Sequence, residues 1–181
     1  MLLNPIDEAG EACNVPITGS GDEPEYADEQ LVRIYRTVRT VAMVGASPNW
    51  NRPSYFVMKY LQRKGYRVIP VNPVAAGQVI LGEPAVADLA SIDVPVDVVD
   101  IFRRAAAVPG IVEDAIRIGA RVVWMQLGIR HAEAAARAEA AGLTVIQDRC
   151  MKIEFGRLSG ELSWNGVNSR IISSRRRRLI A

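Results

Sequence analysis

Short apolar runs alternate with segments of helical periodicity along most of this chain, and that order restricts the possible fold more than any other feature. The apolar runs are rich in β-branched residues and cover residues 40–45, 66–73, 96–102, 121–128 and 143–148. Helical segments separate most of them, at residues 53–65, 108–120 and 130–142, and another at 28–39 precedes the first run. Strands of this kind, alternating with helices, predict a single doubly wound parallel sheet of about five strands with helices on both faces.

The second helical segment illustrates how boundaries and faces are predicted. Pro53 suits the first turn of a helix, and Gly65 suits the position after its end. Helical spacing gives this segment a predicted inner face, which consists of Phe56, Val57, Tyr60 and Leu61.

The chain of 181 residues has room for one domain between two extensions of opposite charge. Residues 1–24 are predicted to be an irregular acidic arm, residues 25–155 the α/β domain, and residues 156–181 a C-terminal extension with an arginine-rich end. The arginine run indicates either an anion-binding or nucleic-acid-binding tail or a solvated tail. We favour the solvated tail, because affinity of a few exposed charges for phosphates is nonspecific and is lost with salt.

Cysteine, histidine and hydropathy patterns restrict the class of protein further. Two cysteines and one histidine predict neither a disulfide framework nor a zinc site. No apolar stretch approaches the roughly 20 residues of a membrane span, and the N-terminus carries acids where a secretory signal needs basic residues. We therefore expect a cytoplasmic protein. Its net charge of +2 indicates no particular partner.

The loop after the first apolar run is the first candidate site. In "VAMVGASPNWNRPSY", Gly45 ends the run and a helix follows, but Ser47 and Trp50 stand where a dinucleotide-binding fingerprint would place its other glycines. Backbone N–H groups at a helix start bind phosphate, and the hydroxyls of Ser47 and Ser54 with the guanidinium of Arg52 would add donors. The residues alone leave two alternatives, an anion site and a plain strand-to-helix turn.

A nicotinamide dinucleotide fits this loop less well. An acid at the end of the second strand usually binds the ribose hydroxyls, and Asn72 and Pro73 occupy that position. An NAD(P)-dependent oxidoreductase or another nucleotide-using enzyme is therefore the alternative function, and an interaction module that uses the arginine-rich tail is a third.

Several motifs together resemble one family. "VAMVGASPNWNRPSYFVMKYLQRKGYRVIPVNP" and "WMQLGIRHAEAAARAEAAGLTVIQDRCMKIE" are similar to small stand-alone CoA-binding domains, Rossmann-like proteins that resemble the CoA-binding domain of succinyl-CoA synthetase α subunits. The resemblance spans residues 36–155 and leaves both extensions outside it. It implies that residues 25–155 are a Rossmann-like domain that binds coenzyme A or an acyl-CoA.

The resemblance also assigns positions around the ligand. Gly45, Ala46 and Ser47 would face the phosphates, with Arg52 and Ser54 helping to hold them, and Asn72 and Pro73 would lie beside the adenosine. Topology adds groups that border the groove after the third and fourth strands, namely Phe102, Arg103, Gln126, Leu127 and Gly128.

The sequence indicates no catalytic residue and no metal ligand. His131 fits acid–base chemistry or, as we favour, a polar role in a first helical turn. Cys150 fits a thiol that forms a mixed disulfide with CoA, assisted by neighbouring cations, or, as we favour, a small buried hydrophobic residue. We expect Trp124 in the core, and Trp50 either packed in its loop, which we favour, or covering the ligand. The resulting hypothesis is a CoA-binding protein without an evident catalytic set, rather than an enzyme. Its partner would be a small molecule, without membrane or nucleic acid, and a protein partner or homo-oligomer stays open.

Overall fold

Five parallel strands form the central sheet of the computed structural model, which describes residues 25–161. The strands in chain order are β1 (Thr40–Val44), β2 (Arg67–Val71), β3 (Val79–Ile80), β4 (Glu83–Pro84), β5 (Val98–Ile101), β6 (Val122–Met125) and β7 (Thr144–Ile146). The sheet has the order β2-β1-β5-β6-β7, and β3 pairs with β4 in a separate two-stranded antiparallel hairpin. The predicted parallel α/β sheet is confirmed.

Five α-helices within residues 25–161 cover the two faces of this sheet. They are α1 (Asp28–Thr37), α2 (Pro53–Arg63), α3 (Val108–Arg117), α4 (Ala132–Ala140) and α5 (Met151–Leu158). One apolar cluster joins α1, α2 and α5 to one face, and a second joins α3 and α4 to the other. Alternation along β1 explains the division, because Val41 and Met43 enter the first cluster and Ala42 enters the second. Both faces of the strands are therefore buried, as their continuous apolar runs predict.

The helix α2 begins and ends where its sequence predicts, but its buried face is different. Pro53 occupies its first turn, and the chain turns at Gly65 with φ of 93°. Phe56 is 47% exposed, so its placement on the inner face was wrong. The buried side chains of α2 are Ser54, Val57, Met58 and Leu61. This spacing of three and four residues defines a stripe from which Phe56 is rotated away.

The helix α5 is the element that the sequence analysis missed. Its apolar residues Met151, Phe155 and Leu158 are buried, and Phe155 packs against three tyrosine rings. The ring centroids of Tyr35, Tyr60 and Tyr66 lie 5.3, 5.9 and 6.1 Å from that of Phe155. The predicted division between residues 155 and 156 falls inside α5. The start of the C-terminal extension stays a prediction.

Most of each predicted extension lies outside the described residues. Residues 1–24 and 162–181, including the arginine run, lie outside the described residues. Within residues 25–161, no helix combines the length and the apolar composition that crossing a bilayer requires.

Candidate functional site

The direction of the chain reverses at β1, and this creates a crevice at the carboxyl edge of the sheet. The chain passes from β1 to β2 on one side and then returns to β5 on the other side. The loops that leave β1 and β5 therefore diverge to opposite faces of the sheet. Ligands of doubly wound sheets bind in the crevice at such a point.

At one side of this crevice, Gly45 lies directly against the loop that follows β5. Its N–H donates to the carbonyl of Val71 at 2.9 Å, and the N–H of Phe102 donates to the carbonyl of Val44 at 2.8 Å. Gly45 has φ of 88°, and a Cβ at this position would lie 2.8 Å from the carbonyl oxygen of Phe102 and 2.9 Å from Cδ of Arg103. Only glycine satisfies both the backbone conformation and the close approach of the two loops.

The loop between β1 and α2 is organised by its own serines. Ser54 is buried, and its Oγ accepts a hydrogen bond from the N–H of Ser47 at 3.2 Å. The Oγ of Ser47 accepts from the N–H of Asn49, also at 3.2 Å. Each hydroxyl still carries a hydrogen that it can donate to an anion. The serines thus shape the loop as well as offering donors, and Ala46 is buried beneath it.

Asn72 connects this loop to the end of β2. Its Nδ2 donates to the carbonyl oxygen of Ala46 at 2.6 Å, and its Oδ1 accepts from the N–H of Val74 at 3.0 Å. Pro73, which is exposed, begins a short 3₁₀ turn. The side chain of Asn72 therefore holds two loops of the crevice together.

Three exposed arginines surround the crevice. Arg52 precedes α2 as its N-cap, and Arg103 and Arg104 follow β5. Within residues 25–161 none of the three forms a salt bridge. Beside the crevice lies a shallow groove of about 510 Å³, lined by Phe102, Arg103, Arg104, Ala106 and Ala107. This edge of the sheet has the charge and the open shape to bind a large anion.

The residues predicted after the fourth strand lie farther along the same edge, beyond β6. Gln126 is buried, and its Nε2 donates to Oδ1 of Asp100 at 2.7 Å. Leu127 is 58% exposed, and the N–H of Gly128 donates to Oδ1 of Asp148 at 2.6 Å. The structure thus brings Gly45, the serines, Asn72 and the Phe102 loop directly together, and places residues 126–128 one or two strands away.

The sequence analysis overlooked Asp100, the acid inside β5. Asp100 is fully buried, in register with Met43 of β1 and Trp124 of β6. Burial raises the pKa of its carboxyl to about 7, against the weaker opposing effect of the Gln126 hydrogen bond. Its Oδ2 has no hydrogen-bond partner among the described residues. An acid in the middle of the apolar run "VDVVDIF" could have drawn attention to it, because unpaired buried carboxyls are rare.

The remaining candidate residues, His131, Trp124 and Trp50, differ in their contacts and in their exposure to solvent. Nδ1 of His131 accepts from the N–H of Ala134 at 3.2 Å, so the ring caps α4 as the favoured interpretation expects. Trp124 lies in the core and donates from Nε1 to the carbonyl of Arg149 at 2.7 Å. Trp50 is 69% exposed, so its expected packing within the loop is wrong. The described residues contain no group of three His, Cys, Asp or Glu side chains that could bind a metal.

Comparisons with known proteins give a consistent result. The sequence profile of the CoA binding domain family matches residues 39–156. The uncharacterized protein YneT of Bacillus subtilis is 38% identical over 124 residues, which cover 68% of this chain and 90% of YneT.

Solved structures show the same likeness. The structure of cell-free ID.343 from Thermus thermophilus shares 38% identity and a TM-score of 0.71, covering 74% of this chain and 99% of the other. A hypothetical protein from Pyrococcus horikoshii OT3 also shares 38% identity, with a TM-score of 0.70 and coverage of 74% and 92%.

Proposed function

Because the chain belongs to the CoA binding domain family, we propose that it binds coenzyme A, free or as an acyl-CoA, at the carboxyl edge of its sheet. The nucleotide would lie over the crevice between β1 and β5. The backbone of residues 45–47 and the hydroxyl of Ser54 would hold the pyrophosphate, and Arg52 and Arg103 would neutralise phosphate charge. Bound CoA would supply a thiol or thioester to this edge of the sheet.

The close approach of Gly45 to Phe102 is the observation that carries the proposal. Gly45 leaves the backbone at the end of β1 without a side chain, and the loop that it begins leads into the N-terminus of α2. Phosphates bind at such positions because they contact backbone N–H groups and the positive end of a helix directly. The same geometry would suit any nucleotide with a pyrophosphate, so the type of nucleotide depends on the surrounding side chains.

Those side chains favour CoA over a nicotinamide dinucleotide. CoA carries a 3′-phosphate in addition to its pyrophosphate, and three arginines at this edge lack a salt bridge within residues 25–161. At the end of β2, where NAD-binding folds present an acid to the ribose, the side chain of Asn72 bonds to Ala46 and Val74. An uncharged residue there removes the usual recognition of NAD.

Isothermal titration of the full chain with CoA, dephospho-CoA and NAD at fixed salt tests the proposal. We expect CoA to bind with clear preference over NAD, and dephospho-CoA to bind between them because it lacks the 3′-phosphate. NAD binding as tightly as CoA would contradict the proposal and favour a nucleotide-using oxidoreductase. Equal affinity for CoA and dephospho-CoA would show that the arginines do not recognise the 3′-phosphate.

A further inference from the structure

The carboxyl edge of the sheet exposes both cations and large apolar side chains. Arg52, Arg103 and Arg104 are exposed there and form no salt bridge within residues 25–161. Trp50, which follows β1, is 69% exposed, and Leu127, which follows β6, is 58% exposed. A surface that combines unpaired cations with uncovered apolar groups is suited to bind a segment of opposite charge that also carries apolar residues.

The chain enters the described domain at this same edge. The helix α1 ends just before β1 begins, so its C-terminus lies at the amino edge of the sheet and its start lies toward the carboxyl edge. The hydroxyl oxygen of Tyr26 accepts a hydrogen bond from the N–H of Gln147 at 2.7 Å. Because Gln147 directly follows β7, this bond holds Tyr26 at the carboxyl end of that strand. Residues 1–24 therefore join the domain at the edge where the crevice opens.

The crevice is within easy reach of this point. In the sheet, β6 separates β7 from β5, and β6 and β5 together separate β7 from β1. Neighbouring strands lie about 4.8 Å apart, so the crevice is roughly 10–15 Å from β7 along the edge. An extended chain advances about 3.3–3.6 Å per residue, so about five residues cover that distance.

The composition of residues 1–24 complements the exposed surface. These residues include no lysine or arginine, and the acids among them are Asp7, Glu8, Glu11, Asp22 and Glu23. Apolar residues lie beside the acids, as in the run "MLLNPIDE". A carboxylate presents two oxygens to a guanidinium as a phosphate does, so both anions bind the same fork of donors. The segment thus has carboxylates for the arginines and apolar side chains for Trp50 and Leu127.

We propose that residues 1–24 dock on the carboxyl edge, with their carboxylates on Arg52, Arg103 and Arg104, and that the phosphates of CoA displace them. The inference rests on the proposed function, because the same arginines would bind those phosphates. The domain then binds CoA in competition with its own N-terminal segment. A tethered segment competes well, because its effective concentration is on the order of millimolar. Exposed charge pairs add little to stability, so docking changes the CoA affinity more than the melting temperature.

The arginine-rich end of the chain is the alternative partner for these acids. The described residues end beside the C-terminus of α2, where Oε2 of Glu161 accepts from the hydroxyl of Tyr60 at 2.7 Å and Lys64 also contacts Glu161. Since the C-terminus of α2 leads into the start of β2, this point lies at the amino edge of the sheet. The two extensions therefore join the domain at opposite edges, which favours the crevice arginines as the partner of the acidic segment.

Isothermal titration of CoA into full-chain variants tests the inference. In one variant, which we call the arm variant, five acids become amides: Asp7→Asn, Glu8→Gln, Glu11→Gln, Asp22→Asn and Glu23→Gln. It should bind CoA about three- to tenfold more tightly than the wild type, because the competitor is lost. The matched control alters the net charge equally and should shift the CoA affinity less than about twofold. It converts five exposed acids of the domain to amides, namely Glu29, Asp93, Glu113, Glu133 and Glu139.

Salt, arginine variants and a peptide locate the contact. The affinity ratio of the arm variant to the wild type should approach one as salt rises from about 0.05 to 0.5 M, because screening weakens exposed charge pairs. The ratio should also fall when Arg103→Ala and Arg104→Ala are added to both proteins, since the acids then have fewer partners. A peptide of residues 1–24 at about 1 mM should weaken CoA binding to the arm variant, and the same peptide with amides for acids should not.

Four results would count against the inference or the function on which it rests. Equal CoA affinity in the wild type and the arm variant would overturn the docking and leave the proposed function intact. An equal gain in the domain control would assign the effect to net charge and also overturn the docking. A gain that disappears when residues 175–178 become glutamine would show that the acids pair with the arginine-rich end instead. Absence of CoA binding in every variant would overturn the proposed function.

In that last case, titration of the peptide into the arm variant decides the docking by itself. Peptide binding that Arg103→Ala and Arg104→Ala abolish would support a docked segment, and absence of peptide binding would overturn it.

Discussion

The carbonyl oxygen of Phe102 lies 2.8 Å from the point where a Cβ of Gly45 would be. The turn after β1 and the turn after β5 are therefore in direct contact, and any side chain at residue 45 would separate them. Gly65, at the end of α2, has a similar φ of 93° but no atom within 4 Å of its Cβ position. The two glycines share a backbone conformation and differ only in what surrounds them.

This difference predicts unequal effects of substitution. Gly65→Ala should lower the free energy of unfolding by about 1 kcal/mol, the cost of the left-handed conformation alone. Gly45→Ala should lower it by a further 1–3 kcal/mol, roughly, because the loops must move apart. Urea unfolding measures both. Gly45→Ala should also weaken CoA binding at least about tenfold, or 1.4 kcal/mol, with Gly65→Ala unchanged. Equal losses in the two variants would show that the contact with Phe102 is not needed.

Arg52 should contribute to the affinity for CoA through phosphate charge. A charge-assisted hydrogen bond contributes about 1.5–3 kcal/mol, so Arg52→Ala should weaken CoA binding by roughly 10- to 150-fold. Arg52→Lys should restore only part of the loss, because an ammonium does not reproduce the planar fork of the guanidinium. Titration calorimetry with CoA and NAD measures both variants, and the affinity for NAD should change less.

A matched control comes from the same helix. Arg63 is exposed in the last turn of α2, at the end away from the crevice. Arg63→Ala alters the net charge as Arg52→Ala does, so it should leave CoA affinity within about threefold, or 0.65 kcal/mol. An unchanged affinity in Arg52→Ala, or equal losses in both variants, would exclude a specific phosphate contact at Arg52.

Asp100 should make the protein less stable as the pH rises toward neutrality. Burial raises the pKa of its carboxyl to about 7 from an ordinary value of 3.8. Between these values the folded state holds a proton that the unfolded state has released, so the stabilisation is present at low pH and is lost as the pH passes 7. From pH 5.5 to 8 this loss amounts to about 2 kcal/mol.

Asp100→Asn should remove this pH dependence and be the more stable protein at pH 8. Asparagine keeps an acceptor for Gln126 and carries no charge. Urea unfolding at pH 5.5 and 8 measures the effect, with Asp93→Asn as an exposed control. The carboxyls of Asp97 and Asp148 are partly buried, which opposes ionisation, but hydrogen bonds lower their pKa overall, so they titrate below this window. A wild-type protein equally stable at both pH values would contradict the buried, protonatable state of Asp100.

Both ends of the chain should be dispensable for folding and for CoA binding. Residues 1–24 and 170–181 lie outside the αβ pattern and show no helical or strand periodicity. Thermal melts should give the truncated protein a Tm within about 8 °C of that of the full chain. For a domain of this size, a fall of about 8 °C corresponds to a loss of roughly 2 kcal/mol or more in the free energy of unfolding. A larger fall would show that one of these segments packs on the domain. Removing each end separately would identify which.

The periodicity of the sequence by itself determined the elements and the class of fold. β-branched runs and helical spacings are local properties, and they predicted five strands and four of the five helices because alternation with period 2 or 3.6 records what each element buries. The glycine at the end of β1, followed by Pro53 and serines, likewise indicated a turn able to accept an anion. The boundaries differed by a residue or more, as at β2, where Asn72 leaves the sheet to bond Ala46.

Tertiary structure alone decided which side chains meet. Phe56 follows a helical spacing but lies outside the buried stripe of α2. The helix α5 packs on the domain through Phe155, which tyrosine rings surround. Asp100 in β5 and Gln126 after β6 lie 26 positions apart, and no local spacing relates them. Their hydrogen bond forms because β5 and β6 are neighbours in the sheet. Long-range contacts depend on the order of strands and the faces that helices cover, and neither is recorded in the local pattern.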